Sequence, residues 1–321
     1  MNLGLLSTAR INDAILAAVE GVEGLQITAV AARDVARAKA YAAEHGIGGW
    51  YGGYDDLLAD SSIDAVYISV PNALHIPWSM AAIEAGKHVL CEKPLSRDAT
   101  AVAEAFELAT NKGVVLLEGL MWRHNPQTAR LLELIAEGTI GETRLVRASF
   151  SFPLEGNADF RLDPALDGGA LSDVGSYCAS GVRLFAGEPE SVSALAVERN
   201  GVDVRLVAVL RHAGGALSQI DCGMDLPDRA SLEVVGADGI LRAEDPWDCA
   251  RVGIDLVRPD GEAVFIAVDN DDSFRLELEN FADVIAGRAE PLINAADTIA
   301  QARLLGCIAA SAERDGATVS L

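Results

Sequence analysis

Lys93 closes a short apolar run, Lys87-His88-Val89-Leu90-Cys91-Glu92-Lys93-Pro94, which reads as a buried strand stopping in Glu-Lys-Pro. In an open parallel sheet, ligands bind outside the carboxyl ends of the strands. An ammonium at such an end can act on a bound molecule, and the following proline restricts the Lys93 backbone. Two other segments carry complementary groups: Pro71-Asn72-Ala73-Leu74-His75 and Asp173-Val174-Gly175-Ser176-Tyr177. Asp173 and Tyr177 are four apart, so a helix would put both on one face. Free tyrosine has a pKa of ~10, too high for proton transfer near neutrality. A cation about 4 Å away at an effective dielectric of about 20 contributes roughly 4 kcal/mol, which makes a phenol about a thousandfold more acidic. The trio therefore suits taking a proton from an alcohol while hydride leaves its carbon. In that scheme Tyr177 is the general acid/base, and Lys93 is its electrostatic partner and binds the reacting oxygen. Asp173 holds a substrate hydroxyl and orients Lys93. The residues leave open whether Tyr177 or Lys93 carries the proton. Taken singly they have plainer readings: a surface lysine, a packed helix tyrosine and a helix-start acid favoured by the dipole.

Alternating strands and helices must position these groups. Leu3–Leu6, Leu25–Ala32, Ile63–Val70, the Lys93 strand and Val114–Leu117 read as strands. Between them, helical spacing spans Arg10–Glu20, Val35–His45, Tyr54–Ala59, Ile76–Ala85 and Arg97–Asn111, with Gly46 as a C-cap and Ser96 as an N-cap. This alternation predicts a doubly wound parallel sheet over residues 1–120. After about residue 120 the pattern changes to long alternating runs: Thr143–Phe152, Ser191–Glu198, Val202–Arg211, Ala216–Cys222 and Ala230–Val235. Helices are expected near 127–136, 170–186, 273–286 and 295–312. Residues 121–321 thus read as an α+β domain with a large open, mainly antiparallel sheet.

Composition narrows the partners. The 321 residues carry 48 acids against 25 bases, a net charge of −23. Such a surface repels phosphate backbones, so neither nucleic acid nor an anionic membrane is expected as a partner. The five cysteines have no CxxC pair, and the five histidines lack close ligand spacing, so neither disulfides nor a metal is expected. The amino terminus lacks a basic segment before a long apolar run, and the apolar stretch at 113–122 is broken by Glu118 and too short to span a bilayer. A cytoplasmic location is the default.

The first strand-turn-helix is where a dinucleotide fingerprint should sit. The GxGxxG pattern falls on Ser7, Ala9 and Asn12, so all three glycines are absent. The residues are still small at two positions, and a helix start offers N–H groups to phosphates. The residues alone also allow a plain turn. After the second strand comes Ala31-Ala32-Arg33-Asp34. An arginine there suits a 2′-phosphate, whereas NAD sites place an acid on the ribose. Arg33 favours NADP, and Asp34 keeps NAD possible.

Gly4-Leu5-Leu6-Ser7-Thr8-Ala9-Arg10-Ile11, the Glu92-Lys93-Pro94 strand end and Asp173-x-Gly-x-Tyr177, in this order, resemble the Gfo/Idh/MocA oxidoreductases. The similarity is to the branch of NADP-dependent aldose (xylose-type) and trans-dihydrodiol dehydrogenases, with specific motifs to about residue 190. It implies a Rossmann first domain, with Ser7, Thr8, Ala9, Arg10 and Ile11 along the cofactor phosphates. It implies that Pro71, Asn72, His75 and Glu92 lie on the cofactor side and that the Lys93–Pro94 peptide is cis. Asn72 and His75 also suit a turn and a helix start. Trp122, Arg123 and His124 resemble a segment that enters the active-site region, though an interdomain packing turn fits them too. Phe152, Phe160 and Arg161 are weaker candidates for the pocket, whose shape loops near 152–168 would set. The resemblance implies a small sugar or cyclic alcohol as substrate and a homodimer or homotetramer formed through the open sheet. The favoured activity is oxidation of C1 of a cyclic aldose to the lactone, with xylose or glucose as the first candidates. A cyclic-diol dehydrogenase and a non-catalytic NADP-binding regulator stand as alternatives.

Overall fold

The computed structural model describes residues 1–156 and 159–321. Residues 157 and 158, within the 152–168 stretch expected to shape the pocket, lie outside the described residues. The chain divides into two compact units. Met1–Ser96, Thr100–Met121 and Asp272–Ile299 form the first; Arg97–Ala99, Trp122–Asp271 and Ala300–Leu321 form the second.

The chain runs β1 (Asn2–Leu6), α1 (Asn12–Val19), β2 (Gln26–Ala31), α2 (Val35–His45), β3 (Gly49–Tyr51), α3 (Tyr54–Leu58) and β4 (Ala65–Ile68). It continues through α4 (His75–Glu84), β5 (His88–Glu92), α5 (Ala99–Lys112) and β6 (Leu116–Gly119). The six strands pair in parallel in the order β3-β2-β1-β4-β5-β6. Leu3, Leu5, Val66, Ile68, Val89 and Leu90 are completely buried, as strands covered on both faces must be. The strand order reverses between β1 and β4, the switch point where such sheets bind ligands. Asp34 caps α2, its Oδ1 accepting from the Ala36 and Arg37 amides at 2.7 and 3.2 Å, and Gly46 ends that helix at φ 68°. Helix α5 opens at Ala99 rather than after Ser96, because Arg97 stays outside it and bonds to Asp167. Strand β3 has no counterpart in the sequence reading; three residues are too few to show a period.

Then come α6 (Pro126–Ala136), β7 (Thr143–Pro153), α7 (Ser176–Ala186), β8 (Pro189–Arg199), β9 (Val202–His212), β10 (Leu217–Gly223), β11 (Asp225–Gly236) and β12 (Ile240–Glu244). The last elements are β13 (Ile254–Val257), β14 (Ala263–Ile266), α8 (Ser273–Ile285), α9 (Ala295–Ala312) and β15 (Val319–Ser320). The second sheet has nine strands in the order β14-β13-β12-β11-β7-β10-β9-β8-β15. Every pair is antiparallel except β10 with β7. Helix α7 packs on β7 and β10 so closely that a β-carbon at Gly175 would lie 2.9 Å from Cys222 Sγ. The sheet's other face leaves Leu195, Val207, Val209 and Leu217 about half exposed.

Helix α8 packs with α1 in the first unit, where Leu278 and Phe281 join the core around Leu5, Ile15 and Val30. Among the described residues, no helix is long and apolar enough to cross a membrane.

Candidate active site

The β1–α1 turn replaces the missing glycines with hydrogen bonds. Ser7 takes φ 125°, a conformation that glycine adopts freely and other residues resist. Its Oγ lies 3.0 Å from Ser69 O and 2.8 Å from Ser69 Oγ, and accepts from the Ala9 amide at 3.1 Å. Asn12, wholly buried at the third glycine position, donates from Nδ2 to Ser7 O at 2.9 Å and accepts from Ser69 Oγ at 2.7 Å. Ser7 follows β1 and Ser69 follows β4, so this network ties the switch point together. The Ala9 amide is taken by Ser7 Oγ, and the Thr8, Arg10 and Ile11 amides just ahead of α1 are the donors that such a helix start offers to a diphosphate. Small residues and a pinned turn thus fit a dinucleotide.

The Asp34 carboxylate is engaged in capping α2, with basic side chains on either side of it in the chain. Arg33 and Arg37 are both exposed, and both guanidiniums draw the Tyr54 phenol downward against the stronger upward push of burial. Arg37 Nη2 also donates to Thr8 O at 3.3 Å. Sequence reading missed Arg37, which lies in the first turn of α2 and looks there like any solvated helix charge.

At the ends of β4 and β5, His75 is buried with Nδ1 2.8 Å from Pro94 O and Nε2 2.8 Å from Val70 O. It braces the two strand ends through their backbones. Pro71 and Asn72 begin the short 3₁₀ turn Asn72–Leu74 between β4 and α4. The Lys93–Pro94 peptide is cis. The Tyr67 hydroxyl donates to Glu92 Oε1, and the Lys93 amide donates to Glu92 Oε2 at 3.3 Å. Glu277, brought by α8, is buried near Glu92 and Glu118. Burial first, then the Glu92 and Glu118 charges, pushes its carboxyl well above the usual range, against the Leu120 amide, which pulls it down.

In the second unit, Asp173 lies in a π-helical turn, Leu171–Gly175, that leads directly into α7. Such turns are rare and often functional. The Leu171 amide donates to Asp203 Oδ2 at 2.7 Å, so β9 anchors the start of the turn. Asp173 Oδ2 accepts from Arg161 Nε at 2.6 Å. The Tyr177 ring packs edge-on against Phe150 at 5.3 Å and tilted against Trp247 at 6.2 Å. The glycines before the turn have a local cause: a β-carbon at Gly168 would lie 2.4 Å from Arg161 O, and one at Gly169 2.0 Å from Asp203 Oδ1.

Trp122 is completely buried and lies edge-on to Trp247 at 5.0 Å. Arg123 Nη1 donates to Ser180 Oγ at 3.4 Å. Burial, reinforced by the Arg123 charge, pushes His124 down to about 4, so it is neutral near pH 7. Among the described residues, no group of three or more His, Cys, Asp or Glu side chains is placed to hold a metal ion.

Two family models match the chain. Residues 3–120 match an oxidoreductase family with an NAD-binding Rossmann fold, and residues 128–242 match the GFO/IDH/MocA C-terminal domain. A D-xylose 1-dehydrogenase (NADP(+)) from Haloferax volcanii is 39% identical, with all of both chains aligned. The chain belongs to the Gfo/Idh/MocA oxidoreductases. A trans-1,2-dihydrobenzene-1,2-diol dehydrogenase from Sus scrofa is 33% identical, covering 70% of this chain and 68% of its own. Among solved structures, a 3-ketoreductase from Actinomadura kijaniata in complex with NADP and TDP-benzene superposes with a TM-score of 0.92. It is 31% identical and covers 97% of both chains. The member described here thus has the family's dinucleotide-binding first unit. Lys93 and the residues expected on the cofactor side, Ser7–Ile11, Arg33, Pro71, Asn72, His75 and Glu92, lie in that unit; Arg123, Asp173 and Tyr177 lie in the second. Sequence reading gave Asp203 no role, because an acid alternating along a strand looks like any solvated position.

Proposed function

We propose that this protein is an NADP-dependent dehydrogenase that oxidises C1 of a cyclic aldose, of the xylose type, to the lactone. The observation that carries this reading is the 39% identity to a D-xylose 1-dehydrogenase across the whole of both chains. Lys93, Asp173 and Tyr177, whose types suit proton transfer from an alcohol, add to it.

When bound, NADP⁺ supplies the acceptor for the hydride leaving C1. The Thr8, Arg10 and Ile11 amides take the diphosphate, and the small Ala9 side chain lets it approach. Arg33 and Arg37 take the 2′-phosphate, a pairing supported by their joint action on Tyr54 and by the engaged Asp34. Pro71, Asn72, Glu92 and Arg123 line the cofactor's path, and His75 holds the strand ends that carry them. Tyr177 takes the C1 hydroxyl proton onto Oη. The Lys93 ammonium stabilises the phenolate and binds the reacting oxygen, and Asp173 accepts from a neighbouring substrate hydroxyl. The Phe150 and Trp247 rings limit where the Tyr177 hydroxyl can point.

A trans-diol dehydrogenase is the second reading, favoured by the Sus scrofa relative. It uses the same three residues on a cyclic alcohol. We further propose that two or four copies associate through the open face of the second sheet. There Leu195 and Val207 are cross-strand partners, and Val209 lies beyond them at 59% exposure. Four free cysteines, Cys91, Cys178, Cys222 and Cys249, are buried, which suits a reducing cytoplasm.

The test is turnover by Lys93→Met and Tyr177→Phe. Tyr177→Phe should lower kcat roughly 100- to 10,000-fold, the usual contribution of a general acid/base, while still binding NADP⁺. Full turnover by both variants would contradict the proposal.

A further inference from the structure

Arg161 is fixed to the Asp173 segment through both its backbone and its side chain. Its carbonyl accepts from the Gly169 amide at 2.9 Å, and the Asp173 amide in turn donates to Gly169 O at 3.1 Å. Its Nε donates to Asp173 Oδ2 at 2.6 Å, and its Nη1 lies 3.3 Å from both oxygens of Asp159. The guanidinium stacks over the Phe160 ring at 4.7 Å, and that ring remains 39% exposed. A guanidinium carries five N–H donors in a rigid plane. Nε and Nη1 are spent on the two carboxylates, while Nη2 donates to no group among the described residues.

This arrangement places a fixed cationic donor beside a fixed anionic acceptor. Two adjacent hydroxyls of a sugar need that combination: one accepts from the guanidinium while the next donates to the carboxylate. A lone alcohol uses half of it. Surface ion pairs hold no such fixed geometry, but this pair is only 24% and 15% exposed at its side chains and is closed by the Gly169 backbone. We propose that Arg161, through Nη2 and with Asp173, reads a vicinal diol of the substrate and so selects polyhydroxy substrates over simple alcohols. This rests on the dehydrogenase reading above and adds the residue that would set its substrate class.

The test compares kcat/KM of the parent, Arg161→Lys and Arg161→Gln on D-xylose and its monodeoxy analogues, with NADP⁺ affinity and melting temperature measured alongside. Charge-assisted hydrogen bonds predict that the parent disfavours at least one deoxy analogue by roughly 10- to 100-fold. In Arg161→Gln, D-xylose should fall to the level of that analogue, mostly through KM. The analogue itself should barely change, and Arg161→Lys should restore part of the discrimination. NADP⁺ affinity should not move. Two results would overturn the inference with the dehydrogenase intact: unchanged discrimination in Arg161→Gln, or equal loss on every substrate together with a fallen melting temperature. A parent inactive on aldoses and cyclic diols alike would instead contradict the dehydrogenase reading and remove this inference with it.

Discussion

At Ser7 a residue with a β-carbon holds a φ of 125°, and five hydrogen-bond contacts among Ser7, Ala9, Asn12 and Ser69 keep it there. The motif reading at this turn depended on glycines that are absent, and spacing cannot reveal a buried asparagine doing their work. Lys93 and the Asp173–Tyr177 pair stand out in the sequence because their types already suggest proton chemistry. Arg37 does not, since an exposed helix arginine looks like a solvated charge until its contact with Thr8 is seen. If Arg37 and Arg33 share a 2′-phosphate, Arg37→Ala should raise the KM for NADP⁺ by roughly 10- to 100-fold, the cost of one charge-assisted contact. The KM for NAD⁺ should stay within about twofold, since NAD⁺ lacks that phosphate. Steady-state titration with both cofactors checks it, and equal losses for both would reject the assignment.

At the scale of elements, the parallel sheet and the long strands of the second sheet follow from their periodicities. The short strands β3 and β12 to β15 have no counterpart in the sequence reading; β3 and β15, at three and two residues, are too short to show any alternation. Nor does pattern disclose that α8 packs beside α1, more than 250 residues earlier in the chain. The π turn carrying Asp173 depends on a tertiary contact, the Asp203 carboxylate, which no local signal announces. Burial pushes that carboxyl up to about 6, outweighing the Leu171 amide and the Arg97 charge, which pull it down. Between about pH 4 and 6 the native state therefore holds more protons at this site than the unfolded chain, so the group destabilises the fold as pH rises through that window. Asp203→Asn removes the titration. Its melting temperature relative to the parent should climb between pH 4.5 and 7.5, by an amount equivalent to at most roughly 3 kcal/mol. Thermal melts across that range decide it; a difference independent of pH would show that Asp203 titrates normally.

For the molecule as a whole, a charge of −23 keeps the surface soluble and steers it away from other polyanions. The exposed row of Leu195, Val207, Val209 and Leu217 stands out against that surface. If copies associate there, Leu195→Glu with Val209→Glu should reduce the mass seen by light scattering from a dimer or tetramer to a monomer, while the folded signal is retained. A monomeric parent would contradict the association. The central claim is the reaction itself, and the most direct measurement is the formation of reduced nicotinamide, followed by absorbance, when the purified protein meets NADP⁺ and a panel of aldoses and cyclic diols. Turnover of a xylose-type aldose, with NADP⁺ preferred to NAD⁺ and lost in Tyr177→Phe, is the expected result. Tight NADP⁺ binding with no turnover of any aldose or diol would contradict it.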